Sequence, residues 1–318
     1  MSTPQRVLLT GATGHVGGRL FRHLISETDI MVRAVVRSPQ SMPAWATRAE
    51  VIQGDLSDAT VRKQALLNID TVIHLATRGF SAVAAPSQVE LDSERAIAHE
   101  LALESVAMGV SRYLFVSSIH VYGSALSGRV DDTTPASPST AYGASRLQIE
   151  DDLVAATEGT RTTANVIRLT NSFGAPAFPR QETWNLLIHD LCRQAVEHSR
   201  IALRSDVRTR RDTMALRDVA TVVTQFISAA NFPAGRFLLA SGLTMQLSEI
   251  AELVQRQARV VLGNDIPIES HSNNDPAPVS FTFEPRKLRA LGTVIPDNRD
   301  IEIRNLLTLA QREFGKLT

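Results

Sequence analysis

The segment "AYGASR", residues 141–146, sets a tyrosine four positions ahead of an arginine. On a helix, Tyr142 and Arg146 share one face, because residues four apart are neighbours there. A phenol in water has a pKa of ~10, so acting as a base near neutrality needs a downward shift of roughly 3 units, about 4 kcal/mol. One cation ~4 Å away supplies about that much at an effective dielectric of ~20. The pair is therefore suited to moving a proton on and off a hydroxyl or ketone, with Arg146 as the cation. Arginine holds its charge more permanently than lysine, and its fork can reach ribose hydroxyls, but it cannot pass a proton onward.

A partner for such chemistry is readable near the N-terminus. "VLLTGATGHVGGRL" puts Gly11, Gly14 and Gly17 directly after a strand-like run and at the start of a helical one. Glycines there permit a tight turn and let backbone N–H groups reach a pyrophosphate, which a helix N-terminus also attracts. The spacing is G-x-x-G-x-x-G, one residue longer in its first gap than G-x-G-x-x-G. The second strand ends at Arg37, where an acid would bind the adenosine ribose of NAD and an arginine can pair with the 2′-phosphate of NADP. "GDLSD", residues 54–58, puts Asp55, with Leu56 beside it, where a carboxylate accepts from the adenine amino group. The alternative for Asp55 is a cap on the helix starting near residue 58.

These groups need a scaffold, and the first 170 residues spell one. Strand candidates at 6–10, 31–37, 49–55, 71–76, 112–118 and 163–170 alternate with helical windows such as 15–26, 59–67, 90–108 and 142–157. Parallel strands need crossover helices, so the alternation predicts an α/β fold with a Rossmann-type doubly wound parallel sheet. After residue 170 the pattern changes: "NSFGAPAFPR" is rich in turn residues, a helix is expected over about 182–198, and "SNNDPAP", 272–278, reads as a surface loop. We expect a dinucleotide-binding domain over 1–170 plus about 212–240, and a smaller C-terminal substrate-binding lobe from 171–211 and 241–318.

Seven stretches in order, "TGATGHVGG", "GDLSD", "VIHLA", "FVSSIHVYG", "YGASR", "VIRLTNSFGAP" and "RRDTMALRDVA", make the chain resemble the extended short-chain dehydrogenase/reductases, in their nucleotide-sugar epimerase/dehydratase branch. The resemblance implies Ser118 as the catalytic serine, Tyr142 as the catalytic tyrosine, and Arg146 in the place of the family's lysine at the nicotinamide ribose. It implies the backbone of His15 and Val16 at the pyrophosphate, and Leu75, Ala76 and Arg78 where the fourth strand passes the cofactor. On the substrate side it implies Asn171 at the sugar nucleotide and Arg211 at its diphosphate, whose oxygens a guanidinium fork meets with two parallel hydrogen bonds. The family's glycine-rich turn before that arginine is replaced here by "RSDVR". A homodimer through the helices at 90–108 and 142–157 is also implied.

The expected activity is an NAD(P)-dependent nucleotide-sugar 4-epimerase working through a 4-keto intermediate. The alternatives are an NADPH-dependent reductase of nucleotide-linked 4-keto sugars, or a non-catalytic NAD(P)-binding sensor. A 4,6-dehydratase carries an Asp-Glu pair after its catalytic Ser/Thr, whereas Ile119 and His120 stand here, which disfavours dehydration. With 33 basic and 33 acidic residues, the chain has no electrostatic bias toward nucleic acid or an anionic membrane. The single cysteine, Cys192, excludes an intramolecular disulfide. His74 within an apolar strand, and His189 and His198 nine apart, do not make a metal pair, so no metal is expected. The N-terminal segment shows no signal-peptide run, and we expect a cytoplasmic protein without membrane spans.

Overall fold

A computed structural model of the protein describes residues 5–38, 42–77, 86–178, 181–229, 233–270 and 278–315. In chain order the elements begin with β1 (Arg6–Thr10), α1 (His15–Glu27), β2 (Met31–Val36), β3 (Glu50–Gln53), α2 (Ala59–Leu66), β4 (Thr71–His74), α3 (Gln88–Ala107) and β5 (Arg112–Ser118). They continue with β6 (Gly128–Asp131), α4 (Ala141–Thr157), β7 (Thr163–Leu169), β8 (Asn171–Phe173), α5 (Leu187–Glu197), β9 (Ile201–Leu203), β10 (Arg210–Arg211) and β11 (Thr213–Ala215). Next come α6 (Leu216–Ser228), β12 (Gly235–Leu239), β13 (Met245–Gln246) and α7 (Leu247–Leu262). The chain closes with β14 (Ile268–Ser270), β15 (Phe281–Glu284), α8 (Arg286–Ala290) and α9 (Arg299–Phe314).

Seven strands form one all-parallel sheet in the order β12-β7-β5-β4-β1-β2-β3. This is the doubly wound Rossmann arrangement, whose strand order reverses between β1 and β4. Both faces are covered, which is why the strands read as apolar runs rather than as alternations. Leu9, Ile73, Leu114, Ile167 and Phe237 point to the side of α1 and α6. Leu8, Val72, Tyr113, Phe115 and Val166 point to the side of α2, α3 and α4. A crevice at the carboxyl ends of β1 and β4 follows from the reversal, and the glycine turn opens there.

Beyond the sheet, α5, α7 and α9 bury a separate apolar cluster that includes Leu191, Cys192, Val254 and Leu306. A charged brace joins this cluster to the first helix: Arg19 of α1 donates to Glu302 of α9 at 3.0 Å and to the Ala175 carbonyl at 3.0 Å. Glu302 also accepts from the Ala175 backbone N–H at 3.1 Å. Gly174 is needed at that corner, because a Cβ on it would lie 2.8 Å from the Glu302 side chain.

A second charged cluster ties the sheet to α4. Glu150, fully buried, accepts from the Ser117 hydroxyl at 2.6 Å, from Arg168 at 2.7 Å and from Arg236 at 3.1 Å. The Arg168 guanidinium also stacks 5.0 Å from the Tyr122 ring centroid. Removing one partner of such a buried group strands the others, at a cost of about 3–5 kcal/mol. Glu150→Ala is expected to lose about that much unfolding free energy in urea; a loss below ~1 kcal/mol would show that Arg168 is satisfied without it.

Candidate functional site

The turn after β1 brings the glycines against the end of β4. Gly11 has φ +72, and a Cβ on it would sit 2.6 Å from the Leu75 carbonyl and 2.8 Å from the Ala76 nitrogen. A Cβ on Gly17 would meet the Gly11 carbonyl oxygen at 2.2 Å. Gly14 caps α1, and its N–H closes the turn on the Gly11 carbonyl at 2.9 Å. The structure thus collects Gly11, Gly14, Gly17, Leu75 and Ala76 at one place, with His15 and Val16 opening α1 beside them. Arg78 lies outside the described residues.

At the far end of the crevice Arg37 is exposed after β2, and its charge helps to lower the Asp55 pKa, behind the hydrogen bonds from Ser57. The Asp55 carboxylate accepts from the Ser57 backbone N–H at 2.8 Å, forming an Asx turn. It does not cap α2: Asp58 does, accepting from the Thr60 N–H at 2.7 Å. The Leu56 side chain enters the core.

Ser118 ends β5, and Tyr142 opens α4. The Ser118 hydroxyl favours the ionised form of Tyr142, and Ser118 Oγ accepts from the His120 N–H at 3.3 Å. The Thr140 hydroxyl caps α4 by accepting from the Gly143 N–H at 3.1 Å. Gly143 allows that first turn to lie flat on the loop after β5, because a Cβ there would be 2.5 Å from the His120 carbonyl oxygen. The glycine of "YGASR" is thus what lets Tyr142 reach Ser118.

Arg146 follows one turn later, 1% exposed, with its guanidinium carbon 4.9 Å from the Tyr142 ring centroid. It donates through Nη2 to the Glu94 carboxylate of α3, while its Nε and Nη1 have no hydrogen-bond partner among the described residues. His74, at the end of β4, lies within reach of the same charge. The Thr10 hydroxyl accepts from the Leu75 and Ala76 N–H groups, so it gives its own proton to His74 Nδ1 at 2.9 Å. His74 is therefore a neutral imidazole, with burial and then Arg146 pushing its pKa down to about 3.

Electrostatically, Tyr142 departs from the expectation drawn from its spacing to Arg146. Burial raises its pKa; Arg146, and then Ser118, pull it down, and Glu94 raises it again. Burial wins, so in the protein alone the phenol stays protonated at neutral pH. The spacing puts a cation beside Tyr142, as the structure has it, but carries no information about desolvation.

On the substrate side, Arg211 in β10 is exposed, and its charge lowers the His120 pKa, second to burial. The His120 ring in turn stands edge-on to the Tyr142 ring at 5.6 Å. His120 is thus near Tyr142 and within reach of the Arg211 charge. Asn171 is exposed at the start of β8, and its Nδ2 donates to the Asp212 carbonyl at 3.2 Å. Asp212 is buried and accepts from the N–H groups of Ser241 and Gly242, both at 3.0 Å, which fixes the chain that presents Arg211. His189 is buried with its ring edge-on to that of His15 at 5.2 Å; its Nε2–H donates to the Gly174 carbonyl at 3.0 Å, and burial lowers its pKa to about 4. Glu94 and His120 were missed by sequence reasoning. His120 adjoins Ser118 in "SSIH", whereas nothing in the sequence links Glu94 to residue 146.

Residues 7–239 match the model of the NAD dependent epimerase/dehydratase family. The chain belongs to this family. It is 31% identical over 178 residues to a UDP-glucose 4-epimerase of Vibrio cholerae, covering 54% of this chain and 53% of that one. The match thus spans about half the length of that relative. A UDP-glucose 4-epimerase of Halalkalibacterium halodurans is 22% identical over 90% of this chain and 89% of its own. Among solved structures, MoeE5 in complex with UDP-glucose and NAD superposes with a TM-score of 0.77 at 21% identity, covering 98% of this chain and all (100%) of that one. A UDP-glucuronic acid 4-epimerase of Bacillus cereus, with UDP-glucuronic acid and NAD, gives 0.79 at 15% identity, covering 98% and 100%. At those identities the structural likeness speaks for the fold. Among the described residues no helix is long and apolar enough to cross a membrane.

Proposed function

We propose that this protein is an NAD(P)-dependent nucleotide-sugar 4-epimerase. The observation that carries the reading is the buried cation of Arg146, 4.9 Å from the ring centroid of Tyr142, whose ionised form Ser118 also favours. The residues fit a dinucleotide: the turn at Gly11 and Gly17 has no room for a Cβ, and Arg146 keeps two buried donor nitrogens unpartnered among the described residues. Gly11, Gly14, Gly17 and the N-terminus of α1 would hold the pyrophosphate, Arg146 the nicotinamide ribose, and Arg37 and Asp55 the adenosine end. When bound, the nicotinamide supplies the hydride acceptor and, in its oxidised form, a further positive charge beside the phenol.

This chain's own part is proton transfer and orientation. Ser118 hydrogen-bonds the hydroxyl oxygen on the sugar carbon that is oxidised, and Tyr142 takes the hydroxyl proton as that carbon gives its hydride to the nicotinamide that would be bound there and the carbonyl forms. The same proton is returned once the keto sugar has offered its other face, so substrate is converted with no net change in cofactor. Arg211 would hold the diphosphate and Asn171 the nucleotide side, keeping the reacting sugar between them and Tyr142. Ile119 and His120 leave the site without the carboxylate pair of a dehydratase. The reading extends to a homodimer through α3 and α4, which expose Val89, Leu103 and Val154, and light scattering on the purified protein decides it.

Arg37 favours a second reading, a reductase of nucleotide-linked 4-keto sugars that consumes NADPH. A panel of UDP-, dTDP- and GDP-sugars incubated with the purified protein separates the two. The epimerase reading expects a 4-epimer with unchanged nicotinamide absorbance; product formation only with stoichiometric NADPH oxidation would replace it by the reductase.

For the cofactor itself, a charge-assisted contact between Arg37 and a 2′-phosphate is worth on the order of 1.5–3 kcal/mol. NADP(H) is therefore expected to bind roughly ten- to a hundred-fold more tightly than NAD(H). Arg37→Asp should reverse the order in a fluorescence titration. Equal affinities in the unmodified protein would show that Arg37 does not meet the ribose.

A further inference from the structure

Two side chains from different helices meet at the centre of the site. Glu94 lies on α3 and Arg146 on α4, 52 residues apart in sequence, and the ion pair between them is nearly sealed from solvent. Burying a guanidinium costs several kcal/mol unless a counter-charge offsets it. Glu94 is the only carboxylate that Arg146 pairs with among the described residues.

The pair also has a direction. Arg146 gives Nη2 to Glu94, and its guanidinium carbon lies over the Tyr142 ring. Nε and Nη1 are thereby left for another acceptor. A long side chain with several rotatable bonds does not hold one such pose unaided, because ordering it costs up to roughly 2 kcal/mol.

We propose that Glu94 is a positioning residue for the reaction: it holds the Arg146 guanidinium against the face of Tyr142 and so keeps the phenol ionisable. This rests on Tyr142 as the proton-transfer group of the proposed function, but it concerns the protein by itself. The other polar and charged groups around Tyr142 stand on separate elements. Ser118 ends β5 and His120 follows it, Arg211 lies on β10 and acts on His120, and the neutral ring of His74 on β4 feels the Arg146 charge. None of them replaces the tether.

Two opposite effects follow from removing Glu94, and they can be told apart by sign. If Arg146 stays in place, losing the carboxylate removes a negative neighbour and Tyr142 becomes easier to ionise. If Arg146 swings away, the larger, favourable influence is lost with the smaller, opposing one, and Tyr142 becomes harder to ionise. Positioning therefore predicts an upward shift in Glu94→Ala, while Glu94→Gln, which keeps an acceptor for Nη2 without the charge, shifts downward.

The test is a tyrosinate absorbance titration of the cofactor-free protein, read as the difference from the same protein carrying Tyr142→Phe. Tyr113 and Tyr122 do not obscure it, since burial raises both and the subtraction removes them. In Glu94→Ala the Tyr142 transition is expected to move up by roughly half a unit or more, and in Glu94→Gln to fall at or below the parent value. A transition at or below the parent value in Glu94→Ala overturns the proposal, as does failure of glutamine to restore it. Should the alanine variant not fold, Glu94→Asp carries the same test: its shorter reach draws the guanidinium off the ring, and an unmoved transition there overturns it. Because neither substrate nor cofactor is used, a substrate panel without turnover leaves this result standing on its own.

Discussion

Placing a guanidinium inside a protein is expensive, and the site of this protein is arranged around having done so. Arg146 is nearly solvent-free between the Tyr142 ring on its own helix and Glu94 on the next. Charge in so dry a place acts on its neighbours far more strongly than in water. It opposes the desolvation that keeps Tyr142 protonated, and it helps to keep His74 neutral. The helix pair α3–α4, the flat approach of Gly143 to the His120 carbonyl, and the Glu150 cluster that ties α4 to β5 and β7 all serve to hold that cation and phenol together.

The second constraint is closeness of backbones. Gly11 lies against Leu75 and Ala76, and Gly17 against Gly11, where side chains would collide. That packing sets β1, α1 and β4 around the switch point of the sheet. Arg19 carries the same helix across to Glu302 and Ala175, so the helix that opens at the glycine turn is braced against α9. The presentation of Arg211 depends in the same way on Asp212, a buried carboxylate held by the N–H groups of Ser241 and Gly242.

Much of this was legible in the chain because it is local. Strands expected at 6–10 and 112–118 form over those same residues, and the helix expected over 142–157 forms from Ala141 to Thr157. The expected helix at 182–198 begins later, at Leu187, after a tighter turn over Gln181–Asn185. Asp58 rather than Asp55 caps α2, because Asp55 closes a turn on Ser57 first. What the sequence could not carry is the environment assembled across elements. Spacing alone suggested that Arg146 brings Tyr142 toward neutrality, whereas burial on the sheet outweighs it. Glu94 has no motif to mark it, and its role arises only where α3 packs on α4.

The central claim is that Arg146 does the work of the family's lysine. The most direct measurement is the pH dependence of turnover in Arg146→Ala on whichever sugar nucleotide the protein converts, beside the tyrosinate titration of the same variant. If arginine is the working cation, turnover at pH 7 falls about a hundredfold and the limb governed by Tyr142 moves to higher pH, in step with the absorbance transition. If the variant turns over as fast as the parent, with the same profile and the same Tyr142 transition, the arginine is a bystander and the account is wrong.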